Sequence, residues 1–177
     1  MPALYLIDGY NLIHHCPQLQ RLAHSDFEAA RDDLIERVSR FSGTTNEPAK
    51  IVFDGRGRAE QPHKPFRGAP GLEVVYSPGH LTADAVIERH VYNAPHRRDI
   101  VVVTGDRGIR DLCRGLGSLV MSPEHFLTIV EEALTRSTAH MRATYERFST
   151  NMLEDRLPEK AREHLKHIKD NLDKKKS

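Results

Sequence analysis

The chain holds only two cysteines, Cys16 and Cys113, and neither lies in a Cys-x-x-Cys or Cys/His array. That excludes a disulfide framework and, despite 11 histidines, leaves no spacing for a structural zinc site. Net charge is nearly absent as well, +1 over 177 residues. No bulk field announces a polyanionic partner, so such a partner must be recognised through local patches. Long apolar runs are missing: none is long enough to span a bilayer, and the first residues enter a strand without a basic leader segment. These features point to a reducing, cytoplasmic setting with packed or free thiols and no membrane. No Gly-x-Gly-x-x-Gly or Walker loop occurs, which disfavours dinucleotide or NTP binding. With 38% hydrophobic and 29% charged residues the composition is globular, and the length suits one α/β domain with a substantial core.

What is present is one pattern used repeatedly. The apolar run Leu4-Tyr5-Leu6-Ile7 stops at Asp8, followed by Gly9, Tyr10 and Asn11. A continuous apolar run reads as a strand buried on both faces, a central strand of a parallel sheet. Lys50-Ile51-Val52-Phe53 runs into Asp54-Gly55, and Ile100-Val101-Val102-Val103-Thr104 runs into Gly105-Asp106. In parallel strands all three acids emerge on one edge, the edge where open α/β folds bind ligands. A fourth acid, Asp84, opens a helix spanning Thr82 to Ala94.

The remaining segments fill in an alternation of strands and helices. After Asn11 comes a turn or the start of a short helix. Ser25 with Glu28 reads as a capping box starting a helix with Phe27, Ala30, Leu34, Val38 and Phe41 on one face, ending near Gly43. Residues 55–70 carry three prolines and three glycines and no apolar period, which argues for an extended, mobile loop. Leu72–Tyr76 is a strand, Asp106–Cys113 a helix, and Leu119–Met121 a short last strand. Ser122 and Pro123 start a helix running to about Leu153. Pro158 breaks the chain, and the charged helical segment after it has little apolar surface to bury. The expected organisation is a domain over 1–155 and a charged tail over 156–177, marginally ordered or dependent on a partner. Helices on both faces of a mostly parallel sheet make an α/β sandwich.

Gathered together, Asp8, Asp54, Asp84 and Asp106 could not all stay ionised: two like charges about 4 Å apart repel by roughly 4 kcal/mol at an effective dielectric near 20. Either some protonate or a divalent cation neutralises them. Hard oxygen donors favour Mg²⁺ or Mn²⁺, and the chemistry such a site supports is hydrolysis of a phosphodiester by a metal-activated water. Singly, each acid is better explained as a turn former or helix cap, Asp54 above all because Asp-Gly is an ordinary turn. Thr104 either holds a carboxylate or phosphate oxygen or merely ends its strand. Asn11 is expected to orient Asp8. Glu88, one turn after Asp84, is either a supporting acid or part of a solvated face.

In order, Leu-Ile-Asp-Gly-Tyr-Asn, Val-Phe-Asp, Thr-Ala-Asp and Val-Thr-Gly-Asp resemble the motif series of the NYN domain, in the YacP-like branch of the PIN-like nucleases. The resemblance covers about residues 3–135. It implies a PIN-like three-layer sandwich, a five-stranded sheet of order 3-2-1-4-5, a divalent-metal site and cleavage of RNA. Matched residue by residue, Asp8, Asp84 and Asp106 fall on the acidic core, Asn11 on the motif asparagine, and Asp54 on the acid after the second strand. One departure is Gly105, where branch members often carry serine, so a hydrogen bond near the metal is lost without loss of a ligand.

Arg56, Arg58, Lys64 and Arg67 interleave with Phe66 in the long loop, a composition suited to single-stranded RNA, alone or within a ribonucleoprotein assembly. Arg107 and Arg110 follow Asp106 and are placed to touch phosphate, although arginine on an exposed helix face is common. His14 and His15 receive no role, and His90 lies on an apolar helix face. A haloacid-dehalogenase-like phosphatase would need an acid where Tyr10 stands. A receiver-type phosphoacceptor would need paired acids after the first strand and a late lysine. The remaining competitor to an endoribonuclease is a non-catalytic RNA-binding adaptor holding a structural ion.

Overall fold

The computed structural model describes residues 3–55 and 71–151. The chain divides into two compact units, Met1–Thr135 and Arg136–Ser177, and the first carries the sheet. Its strands are β1 (Leu4–Asp8), β2 (Ala49–Phe53), β3 (Leu72–Tyr76), β4 (Ile100–Val103) and β5 (Leu119–Met121). All pair in parallel, in the order β3-β2-β1-β4-β5, the order the family resemblance implied. Tyr5 lies opposite Ala49 and Val101, and Ile7 opposite Ile51 and Val103, so the strand ends are level. The acids that follow β1, β2 and β4 therefore emerge on a common edge.

The alternation of side chains across each strand explains why the runs are apolar throughout. Tyr5, Ile7, Ile51, Phe53, Val101 and Val103 belong to one core, and Leu6, Val52, Ile100 and Val102 to a second. The first core packs beneath α1 (Gly9–His15), α2 (Pro17–Ser25), α3 (Phe27–Thr45) and the start of α6 (Pro123–Asn151). The second packs beneath α4 (Ala83–Asn93) and α5 (Arg107–Gly115). Helices on both faces of a central sheet make a PIN-like three-layer sandwich. At the first core's centre Tyr5 and Phe126 each pack edge-to-face on Phe41 and lie tilted against each other, which fixes the packing of α3 and α6 on β1.

The segment after β1 is more helical than its sequence indicated. Helix α1 begins at Gly9 itself, with Asp8 as its N-cap, and α2 follows with Pro17 at its first position. The cap of α3 is Asp26, whose carboxylate accepts from the Ala29 amide at 3.0 Å, whereas the Ser25 hydroxyl donates to the Leu22 carbonyl at the end of α2. Helix α3 also runs past Gly43 to Thr45, stopped by Asn46 in the left-handed conformation (φ 58°). Helix α6 is described to Asn151; the boundary expected at 155 and the charged tail lie outside the described residues. No described helix is long and apolar enough to cross a membrane.

Candidate active site

Asp8 is the most enclosed of the four acids, 7% exposed at the end of β1. One carboxylate oxygen caps α1 by accepting from the Asn11 amide at 3.1 Å, and the other accepts from the Thr104 hydroxyl at 3.4 Å. Burial pushes its carboxyl up to about 6; the charges of Asp84 and Asp54 push the same way, against the hydrogen bonds from Asn11 and Thr104. Thr104 is fully buried, and its hydroxyl oxygen also accepts from the Asp106 amide at 3.1 Å. Of the two readings of Thr104, the structure selects the one in which it holds a carboxylate.

Asn11 is the hydrogen-bond partner of Asp8, as expected, and the group that reaches it is the backbone amide. The side-chain oxygen accepts from the Gly105 amide at 2.6 Å and so ties α1 to the turn between β4 and α5. Asp54 is more than a turn residue. Its carboxylate accepts from the Ala83 amide at 2.6 Å and from the Ser77 hydroxyl at 3.4 Å, joining the end of β2 to the first residue of α4. Ser77 also accepts from the Gly55 amide at 3.1 Å. A Cβ at Gly55 would collide with the Ser77 carbonyl, so this approach requires glycine.

Asp84 lies in the first turn of α4, whose N-cap is Thr82. The residue is exposed, and its carboxyl is raised first by partial desolvation at the edge, then by the charges of Asp106 and Asp54. Asp106 caps α5 by accepting from the Ile109 amide at 3.0 Å. The four carboxylates thus form one electrostatic group on the carboxyl edge: Asp8 feels Asp54 and Asp84, and Asp84 feels Asp54 and Asp106. Helices α1, α4 and α5 all begin at this edge, and their amino-terminal dipoles offset part of the repulsion.

The other residues marked by the sequence distribute as follows. Arg107 is exposed and Arg110 half-buried on the first turns of α5. Glu124, at the start of α6, has its carboxyl held below the ordinary range by its own amide and Ser122, with smaller contributions from His15 and Arg110, so both of these flank it. Glu88 is exposed, and its charge acts on the Cys113 thiol of α5; it is not among the charges that raise Asp84. Its exposure on α4 fits the solvated face that was the alternative to a supporting acid. Arg56, Arg58, Lys64, Phe66 and Arg67 lie outside the described residues. His90 is half-buried and lines an open pocket of about 580 Å³ with Leu4, Ile100 and the end of α4, at the opposite edge of the sheet.

The YacP-like NYN domain family matches residues 5–170. The chain belongs to that family. The match continues past Pro158, so it takes in most of the charged stretch that the motif series had left out. Uncharacterized protein YacP of Bacillus subtilis (strain 168) is 31% identical over 134 residues, 72% of this chain and 75% of that protein. A crystal structure of Rae1 (YacP) from Bacillus subtilis superposes with a TM-score of 0.66 at 26% identity, covering 96% of this chain and 93% of that one. A point mutant of the same protein gives 0.65 at 30% identity, covering 80% and 82%. The YacP-like NYN family is nuclease-like, within the PIN-like superfamily.

The side chains at the edge suit a hard divalent ion in charge and donor type. All four are carboxylates, and Asp8 is a buried acid with no cationic partner among the described residues. Among those residues no three His, Cys, Asp or Glu side chains stand at metal-ligating spacing. An ion would therefore have to complete its shell with water, as Mg²⁺ commonly does.

Proposed function

We propose that this YacP-like NYN protein is a metal-dependent endoribonuclease that hydrolyses RNA phosphodiester bonds at the edge bearing Asp8, Asp54, Asp84 and Asp106. The observation that carries the proposal is Asp8: a buried carboxyl held up to about 6 beside two other acids, an arrangement that costs stability and is explained by a cationic ligand. Mg²⁺ or Mn²⁺ would be held by Asp8, Asp84 and Asp106 with Asp54 beside them, and would supply Lewis-acid activation of water and of the phosphate.

The chain's own residues have separable tasks. Asp8 and Asp106 are fixed relative to each other through the single hydroxyl of Thr104. Asn11 locks the turn carrying Asp106 against α1. Asp54 positions Asp84 by holding the start of α4. An edge so acidic repels a phosphodiester, so cations must bring the RNA in. Arg107 and Arg110 border the acids, and Arg56, Arg58, Lys64, Arg67 and the stackable Phe66 follow directly from the end of β2.

The test is cleavage of a panel of RNAs with Mg²⁺ or Mn²⁺ by wild type and by Asp84→Asn. Wild type should cut, chelator should stop it, and Asp84→Asn should lose about a hundredfold or more, the scale set by removing one preorganised electrostatic group. RNA binding without cleavage under any divalent ion would leave a non-catalytic adaptor.

A further inference from the structure

His15 takes no part in the metal chemistry proposed above, yet its ring is held in a fixed place beside it. It is the last residue of α1 and is exposed. Its Nδ1 lies 2.8 Å from the Asn11 carbonyl. A carbonyl only accepts, so Nδ1 carries the proton and, in the neutral imidazole, Nε2 presents a lone pair. The ring is stationed over Gly105: a Cβ on that glycine would lie 2.6 Å from Cε1 and 2.7 Å from Nε2, and 3.0 Å from the Asn11 side-chain oxygen. Glycine at 105 is thus the notch the imidazole occupies. Gly105 stands between Thr104 and Asp106, so the Nε2 edge of the ring lies against the turn that carries Asp106.

What that lone pair can receive is limited: the carboxylate of Glu124, which His15 flanks, is itself an acceptor and offers it no proton. Among the described residues it joins no group of ligands at metal-ligating spacing. A phosphodiester offers only acceptor oxygens, which do not pair with an accepting nitrogen. The donor on a nucleic acid backbone is the ribose 2′-hydroxyl, which distinguishes RNA from DNA. We propose that His15, seated in the notch at Gly105, accepts a hydrogen bond from a ribose 2′-hydroxyl and makes this site select RNA over DNA. The proposal rests on the reading of this edge as the RNA site, and it adds a recognition contact rather than a reacting group.

The test pairs single-atom changes on both partners. An RNA that wild type cuts is prepared with one 2′-deoxy nucleotide at each position around the cleavage point. In wild type one position should lower kcat/KM by about five- to tenfold, the worth of one neutral hydrogen bond. His15→Ala should lose a similar factor on the all-ribose substrate and become indifferent to deoxy substitution at that position alone. Gly105→Ala, which puts a methyl group where the ring sits, should behave likewise and add nothing to His15→Ala. Thermal melting of His15→Ala should match wild type, since the side chain is exposed. Equal losses on ribose and deoxy substrates, or no loss at all, would overturn the contact and leave the nuclease reading intact. If wild type cuts no RNA, the nuclease reading fails. Equilibrium binding of an RNA oligonucleotide and its all-deoxy counterpart then decides the contact. A ribose preference reduced several-fold in His15→Ala supports it; an unchanged preference overturns it.

Discussion

Burial, with help from two neighbouring carboxylates, raises the Asp8 carboxyl from 3.8 to about 6 on folding. The folded state therefore binds this proton more tightly than the unfolded chain, and the stability it confers is complete below about pH 4 and lost as pH rises through about 6. At pH 7 the ionised side chain costs the metal-free protein about 3 kcal/mol, roughly two pKa units at 1.36 kcal/mol each. Asp8→Asn should thus melt higher than wild type at pH 7 without metal, and the difference should shrink towards pH 4. Millimolar Mg²⁺ or Mn²⁺ should raise the wild-type melting temperature and leave that of Asp8→Asn nearly unmoved. Parallel melting curves for the two proteins across pH and metal would refute the assignment. A second residue-scale prediction concerns Thr104, which is fully buried and serves two acids. Thr104→Val keeps the shape but leaves the Asp106 amide without its acceptor, and should cost about 1–2 kcal/mol in urea unfolding. At this scale the sequence exposed the acids because a carboxylate ending an apolar strand is a local signal. The roles of Ser77 and His15 were hidden, since each depends on a partner far away in the chain, Asp54 for Ser77 and Gly105 for His15. For Asn11, the pairing with Asp8 was legible from the spacing, but the side-chain bond to Gly105, 94 residues away, was not.

Among the elements, α4 is the one whose position the site depends on most, and Asp54 holds its first amide. Asp54→Ala should release that end of the helix, costing about 1–2 kcal/mol for the orphaned amide and reducing cleavage through displacement of Asp84. Asp54→Asn keeps an acceptor while removing the charge. It should retain most of the stability, measured by urea unfolding, so that any remaining loss of cleavage reports the charge itself. Equal stability of Asp54→Ala and wild type would mean that the clamp contributes nothing. The five strands were legible because buried parallel strands are apolar on both faces. Helix α2 was not: among its nine residues only Leu19 is buried, and Pro17 at its start is as much a turn signal as a helix start. The overrun of α3 past Gly43 has a similar origin. The Gly43 Cα faces open space, and the stop is made by Asn46.

For the molecule as a whole, a net charge of +1 leaves affinity for RNA to local cations. Neutralising Arg56, Arg58, Lys64 and Arg67 together should weaken RNA binding and flatten its dependence on salt, because each lost phosphate contact removes a released counterion. Unchanged affinity and slope in a filter-binding titration would free the loop of that role. Sheet order could be anticipated only through the motif series, since periodicity identifies strands without saying which are neighbours. Parallel pairing and level strand ends then bring residues 8, 54 and 106 to one edge. Hydrolysis of RNA by water at this acidic edge leaves a signature in the product ends, which end-group analysis reads. Cleavage that requires Mg²⁺ or Mn²⁺, fails in Asp84→Asn and leaves 5′-phosphate and 3′-hydroxyl ends is the predicted result. A 2′,3′-cyclic phosphate formed in the presence of chelator, and formed equally by Asp84→Asn, would contradict it.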